Sequence, residues 1–524
     1  MPWWERRWAA AALIALAAVP LLWPTIPPLV DLPGHMAGFR VELDLASSPD
    51  LQHYYGFEWR LIGNLGINLL IIPLAKLVGL ELALKLIVLC IPPLLVAGFL
   101  WVAHEIHGRI PPTALFALPF AYNFPFMFGF INYSLGMGLA FIAFAFWLRL
   151  GRTGRLRWRA ALFVPIALLL WLCHTMAWAV MGAMAFAEAL VRQRQAGRPF
   201  MEAAFRAGLS CLPLAPPAVM MIVWRSGDYT GKTEDWFNVP NKLVSLIWPL
   251  RDRWWWLDWP SYALVLLVLA WPWRDRRWGY APRMGMAAVF LLLAFLIAPR
   301  HVFGSSYADM RLVPYVFAAA ILALRLREDS GPRLARAIAA AALAFVLVRT
   351  AGTTLSLWLY DRDYARELAA LDHVPQGARL VSFVGTECRS SWEMTRLEHL
   401  PGMAVVRRQA FSNDQWRIPG VVLINTRYAA AGEFGYDPSE VVELHHCTGN
   451  HWRTLDQALR TFPRQAFDYV WLINPPPISP GLLEGLEPIW SNGRSGLYRI
   501  DHRAPPPVSS TPVSPASPPP SGGT

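Results

Sequence analysis

Charge is scarce in this chain. Of its 524 residues only 16% are Asp, Glu, Lys or Arg, against 55% hydrophobic, and apolar stretches recur from residue 9 to residue 357. That balance points to a polytopic α-helical membrane protein. Cysteine is scarce too, with five in all. Cys90, Cys173 and Cys211 sit in apolar stretches, where a thiol packs as a small hydrophobe. Cys388 and Cys447 are the two outside them; a pair in an oxidising compartment suggests one disulfide, the plainer alternative being two buried thiols. No Gly-rich phosphate loop is present, so nothing calls for a nucleotide. No internal repeat is found and few charges fall inside the apolar runs, which disfavours a transporter. The net charge of +11 does not imply nucleic acid, because the arginines cluster in short loops between apolar runs.

Those arginines fix a topology. Arg6 and Arg7 precede the run 9–30 and hold that end in the cytoplasm. Further basic loops lie at Arg149–Arg159, Arg192–Arg198, Arg274–Arg277, Arg325–Arg327 and Arg333–Arg336. An even number of spans must fit between consecutive cytoplasmic loops. Residues 160–191 fit as two spans turning near His174, and 335–357 then leaves the C-terminal part outside. Segment 61–79, with Asn64, Asn68 and Pro73, makes a poor lipid-facing helix and reads as a partly inserted outer-face helix. The count is about eleven spans. Tryptophans at segment ends, such as Trp254–Trp256, fit an interfacial aromatic belt.

From residue 358 the character changes. Residues 358–503 read as an extracytoplasmic α/β domain, with strands at 379–384, 421–425, 469–474 and 496–500 and helices at 365–373 and 455–461. The Pro/Ser-rich tail 504–524 cannot form a core. His445, His446 and His451 surround Cys447 with metal-like spacing, but that cysteine is already given to the disulfide.

The polar residues worth naming lie on the outer loops. Asp31 emerges at the outer end of the first apolar run, where a carboxylate beside lipid is costly and tends to mark function. His35 follows, then Arg40, Glu42, Asp44 and Glu58. His174 stands at its turn, Lys232 in loop 225–258, and Arg300, Tyr307 and Arg311 in loop 299–311. One acid, a histidine and several arginines suit a phosphorylated lipid, since guanidinium groups grip phosphate bidentately. The bland readings are a helix-end Asp31 paired with Arg40, an interfacial His35, and an Arg311 that snorkels to headgroups.

With Asp31 closing the first span, a long first outer loop, His-Gly-Arg at 107–109, Tyr307-x-x-x-Arg311-x-x-Pro314 and a trailing outer domain, the chain resembles the GT-C superfamily of integral-membrane glycosyltransferases. That group includes protein O-mannosyltransferases and the aminoarabinose transferases of lipid A. The resemblance covers residues 1–357 and lies in layout more than in a strict motif. It implies a polyprenyl-phosphate-sugar donor, Asp31 as catalytic base with His35 beside it, and Arg311 as phosphate ligand helped by Arg300 and Lys232. Arg40, Glu58, His174 and Tyr307 are the remaining substrate-binding candidates. No cofactor is certain from the sequence; a divalent metal, Mg²⁺ or Mn²⁺, would find its carboxylates at Glu42 and Asp44. The sequence departs from the group's pattern in lacking Asp-x-Asp near Asp31 and in placing Asn132 where many members carry an acid.

The expectation is thus a multi-pass protein of the bacterial inner membrane, N-terminus cytoplasmic and outer domain periplasmic, with membrane lipids and a lipid-linked donor as partners. A transporter or flippase and a non-catalytic scaffold are the rival classes. Reporter fusions check the topology: junctions after Gly154 and Asp275 should score cytoplasmic, and junctions after Ser306 and Asp372 outside. An inside score at Asp372 would overturn the orientation.

Overall fold

The structure, a computed structural model, describes residues 1–225, 231–388, 391–418, 421–445, 447 and 452–503. His446, His451 and the tail 504–524 lie outside the described residues. The chain divides into two compact units: residues 1–23, 61–70 and 85–357 form the first, and residues 24–60, 71–84 and 358–524 the second. The segment 24–60 therefore groups with the C-terminal part of the chain.

The first unit is helical. Leu156–Cys173 and Thr175–Gln195 form two helices broken at His174, where the basic-loop parity puts the turn. Glycines set one close helix crossing. A Cβ at Gly98 would lie 2.8 Å from Phe141 Cβ, and one at Gly138 would lie 2.9 Å from Leu94 Cδ2. Small residues let membrane helices approach in this way. Phe99 meets Phe141 edge-on at 4.7 Å, and Phe141 stacks on Tyr315. Buried charges come in pairs. Arg349 binds Asp258 and the Leu250 carbonyl, and Lys242 binds Asp309 with the carbonyls of Phe295 and Ala298. Glu188 faces Arg192 one helical turn on.

Among the described residues, four helices are long and apolar enough to cross a membrane: Leu80–His107, Ile131–Arg152, Leu156–Cys173 and the run Pro332–His373. Phe200–Ser210 with Leu212–Val223, bent by 49°, makes a fifth if counted as one broken span. The count of eleven is not reached. Proline is one cause: residues 9–30 are not one helix, because Arg7–Leu16 gives way to a short 3-10 turn at Val19–Leu21 and then to Pro24, Pro27 and Pro28. Segment 61–79 holds a helix of 13 residues, Gly66–Val78, interrupted by Pro73.

The second unit is built on a five-stranded mixed sheet. Its strands are β1 (Leu380–Thr386), β2 (Val441–Glu443), β3 (Tyr469–Ile473), β4 (Leu486–Ser491) and β5 (Gly496–Ile500), in the order β2-β1-β3-β5-β4. β1 runs parallel to β2 and β3, while β5 is antiparallel to β3 and β4. Every β1 residue is buried, as expected of a strand with parallel partners on both sides, and its Leu-Val-Ser-Phe-Val run is accordingly unbroken by charge. Leu455–Thr461 is a helix closed by a Thr454–Gln457 capping box. The expected strand at 421–425 lies elsewhere: Ile424–Thr426 pairs with Tyr55–Phe57 in a separate two-stranded sheet. β2 and β4 went unforeseen because neither is a continuous apolar run.

Cys388 and Cys447 are bonded, with their Cα atoms 5.6 Å apart and 59 residues between them in sequence. The bond ties the segment after β1 to the segment after β2. Replacing both cysteines with alanine should cost the unit about 2–4 kcal/mol. Non-reducing peptide mapping should recover the two cysteine peptides as one species, and recovering both as free thiols from oxidised material would refute the link.

Candidate functional site

Asp31 stands just ahead of helix α1 (Leu32–Asp44), which Pro33 starts. α1 packs on helix α2 (Gly402–Arg408). The packing needs glycine: a Cβ at Gly402 would sit 2.7 Å from the Pro33 carbonyl oxygen and 2.7 Å from Asp414 Oδ2. At Gly34 a Cβ would lie 2.8 Å from Trp416 Cη2. The sequence Asp31-Leu-Pro-Gly-His35 thus delivers both its acid and its histidine to residues far along the chain.

Asp31 is 7% exposed, and its Oδ1 lies 3.9 Å from His399 Nε2. His399 is placed by α2, since the Gly402 N–H bonds the His399 carbonyl at 3.1 Å. Its other nitrogen, Nδ1, lies 3.8 Å from Glu440 Oε1. Trp416 lies between two imidazoles, with ring centroids 4.8 Å from His35 and 4.7 Å from His399. Burial, with His35 nearby, pushes His399 down to about 3, so it is neutral at physiological pH. Asp414 receives hydrogen bonds from Ser412 Oγ and Gln415 Nε2, yet burial still raises it to about 6. Burial, with the charges of Glu398 and Asp414, raises Asp437 to about 7, and burial, with the neighbouring Asp437, raises Glu440. The β1 backbone positions this edge: the Val384 N–H bonds the Glu440 carbonyl at 2.7 Å, and Asn413 bridges the Ser382 backbone to Ser439.

A second cluster lies in the first unit. The Arg311 guanidinium covers the Phe130 ring at 4.2 Å and reaches Ser305 Oγ at 3.3 Å. The Tyr133 hydroxyl donates to the Arg311 carbonyl at 2.7 Å, and the Tyr133 ring meets His174 edge-on at 5.7 Å. Arg300 lies over the Tyr307 ring at 5.0 Å, and Tyr307 in turn packs beside Phe128 and Phe130. Tyr307 and Phe303 hold positive φ values of 61° and 52°, uncommon for side-chain-bearing residues and frequent where a loop is shaped for a ligand. Asp309 anchors this loop through Lys242. Cations over aromatic faces and a hydroxyl-lined arginine suit an anionic group carried on an apolar chain.

The structure therefore gathers His174, Arg300, Tyr307 and Arg311 into one cluster. Lys232 joins the same loop by its backbone, its carbonyl accepting from the Gly304 N–H at 2.9 Å. Arg40 does not face the Asp31 cluster as a free cation; it pairs with Asp44 one turn on. Glu58 is an exposed partner of Arg60 at 2.7 Å. Among the described residues, the grouping of three metal-type side chains is His399, Asp437 and Glu440, not one built on Glu42 and Asp44. His399, Asp414, Trp416, Asp437 and Glu440 went unnoticed in the sequence. They sit in separate segments with no fixed motif, and only Asp437-Pro-Ser-Glu440 places two acids close together.

Over 93% of its length the chain is similar to the crystal structure of ArnT from Cupriavidus metallidurans in the apo state, and the match covers 96% of that chain. The fold is of the GT-C type. Identity is 13% and the TM-score 0.51, so the likeness is one of fold. No family model matches the chain, and no curated protein matches it. In fold the likeness agrees with the resemblance read from the sequence.

The glycine packing gives a test on two nearby positions. Gly402→Ala forces a methyl against the Pro33 carbonyl and should cost about 1–3 kcal/mol. Gly38→Ala, within α1, meets nothing within 4 Å and should stabilise by about 0.5–1 kcal/mol. Thermal unfolding of the two variants should move in opposite directions.

Proposed function

We propose that this protein is a membrane glycosyltransferase that moves a sugar from a polyprenyl-phosphate carrier to an acceptor on the outer face of the bacterial inner membrane. The observation that carries this reading is the GT-C-type fold along nearly the whole chain. Two local observations support it: a carboxylate held beside a neutral histidine, and an arginine–aromatic cluster suited to a lipid phosphate.

In this reading the acceptor hydroxyl gives its proton to Asp31, and its oxygen attacks the anomeric carbon of the sugar. The bond from that carbon to the phosphate oxygen breaks, and the polyprenyl phosphate leaves with the electron pair. Arg311 and Arg300 neutralise the leaving phosphate. The buried His399, with the half-buried Trp416 against it, limits water at Asp31, which strengthens its interaction with the acceptor proton. A transporter would need ionisable groups free to load and release a cargo. The buried charges Arg349–Asp258 and Lys242–Asp309 are paired instead, so they lend that class no support.

A positioned general base contributes ~10²–10⁴-fold in rate. Asp31→Asn keeps the shape and removes the base, so transfer from a polyprenyl-phosphate sugar should fall by about that factor at unchanged expression. Arg311→Lys keeps the charge but loses the planar fork, and should weaken use of the donor more than use of the acceptor. Wild-type envelope glycan output from Asp31→Asn would remove the base from this scheme.

A further inference from the structure

Beside the edge of the second unit's sheet, two acids that the transfer scheme does not use, Asp437 and Glu440, lie against the far side of His399. Glu440 is fully buried, at 0% exposure; neither of its carboxylate oxygens has a well-formed hydrogen bond among the described residues, and the side chain facing it is the Asp437 carboxyl. His399 is 4% exposed, and its Nδ1, 3.8 Å from Glu440 Oε1, likewise has no hydrogen-bond partner. Asp437, half-buried, completes the set, and one ligand atom from each of the three lies within 4.8 Å of the others. A buried carboxylate and a buried imidazole nitrogen that face each other without a donor form an electrostatic gap. Leaving such groups unmatched is costly. A cation would close it.

We propose that His399, Asp437 and Glu440 bind a divalent transition-metal ion, Zn²⁺ or Mn²⁺. Bonds of ~2.0–2.2 Å to nitrogen and carboxylate oxygen set tetrahedral ligand atoms ~3.4 Å apart; the His399–Glu440 pair at 3.8 Å needs a small contraction, and the side chains at the 4.8 Å limit of the set must close by about 1 Å or more on the ion. An imidazole in the set favours these ions over Mg²⁺ and Ca²⁺, which prefer oxygen throughout. The half-buried Asp437 gives the ion a way in. With Nδ1 on the metal, His399 keeps its proton on Nε2, the nitrogen that faces Asp31 Oδ1 at 3.9 Å. Metal-bound imidazoles commonly turn their second nitrogen to a carboxylate, which fixes the ring. The set excludes Glu42 and Asp44, so it differs from a first-loop metal site. It does not depend on the glycosyl-transfer reading.

The test uses the full chain in detergent, stripped with EDTA and re-equilibrated separately with ZnCl₂, MnCl₂, MgCl₂ or CaCl₂, without donor or acceptor. Elemental analysis should find one Zn²⁺ or Mn²⁺ per chain after desalting, and the melting temperature should rise with that ion but not with Mg²⁺ or Ca²⁺. Glu440→Gln and His399→Gln should each weaken binding by at least ~10–100-fold, the scale on which even outer partners of a metal site act. They should also abolish the metal-induced rise. Glu42→Gln with Asp44→Asn should leave both readings as in the wild type. A wild-type chain that takes up no ion overturns the proposal, as does one whose ion survives both single substitutions. If Glu440→Gln raises the metal-free melting temperature while the wild type takes up no ion, Asp437 and Glu440 share a proton instead. Loss of sugar transfer in Asp31→Asn has no bearing on any of these readings.

Discussion

The approach of α1 to α2 is the contact on which the Asp31 site depends. Gly402 lets a backbone carbonyl come where a methyl group would stand, and Gly34 does the same for the Trp416 indole. Once the helices are that close, Asp31 and His399 are enclosed, with Trp416 against them. Burial then sets the chemistry: His399 loses its proton, and the acids at 414, 437 and 440 hold theirs to higher pH. The same low-polarity surroundings that make an unmatched charge costly make a well-placed one effective.

The two clusters rest on different physics. In the first unit, Arg311 and Arg300 lie on aromatic faces, which favours a planar delocalised cation and leaves its edges for a phosphate. The loop that carries them is held by a buried Lys242–Asp309 pair and by two residues in the left-handed region. In the second unit the groups are acids and imidazoles in turns that abut strand β1 and helix α2, and hydrogen bonds to those elements fix the turns.

Much of the layout was legible in the sequence. Apolar runs marked the membrane part, and basic loops located the turn at His174. Strands β1, β3 and β5 showed as apolar runs, and the two cysteines outside the apolar stretches proved to be bonded. Other readings failed for identifiable reasons. The run 9–30 has the composition of a span, but its prolines cannot continue a helix. Ile424–Thr426 has the composition of a core strand, yet its partner is Tyr55–Phe57, a pairing that no local pattern announces.

Hydropathy, charge asymmetry and cysteine placement act along the chain, so the sequence by itself determined the membrane class, the disulfide partners and the prominence of Asp31. What surrounds Asp31 was decided only in three dimensions. His399, Trp416 and Glu440 lie hundreds of residues away and carry no spacing signal, because a parallel strand pair and a glycine-permitted helix contact bring them together. Local sequence specifies which residues can be buried; tertiary packing alone specifies which of them are buried against one another.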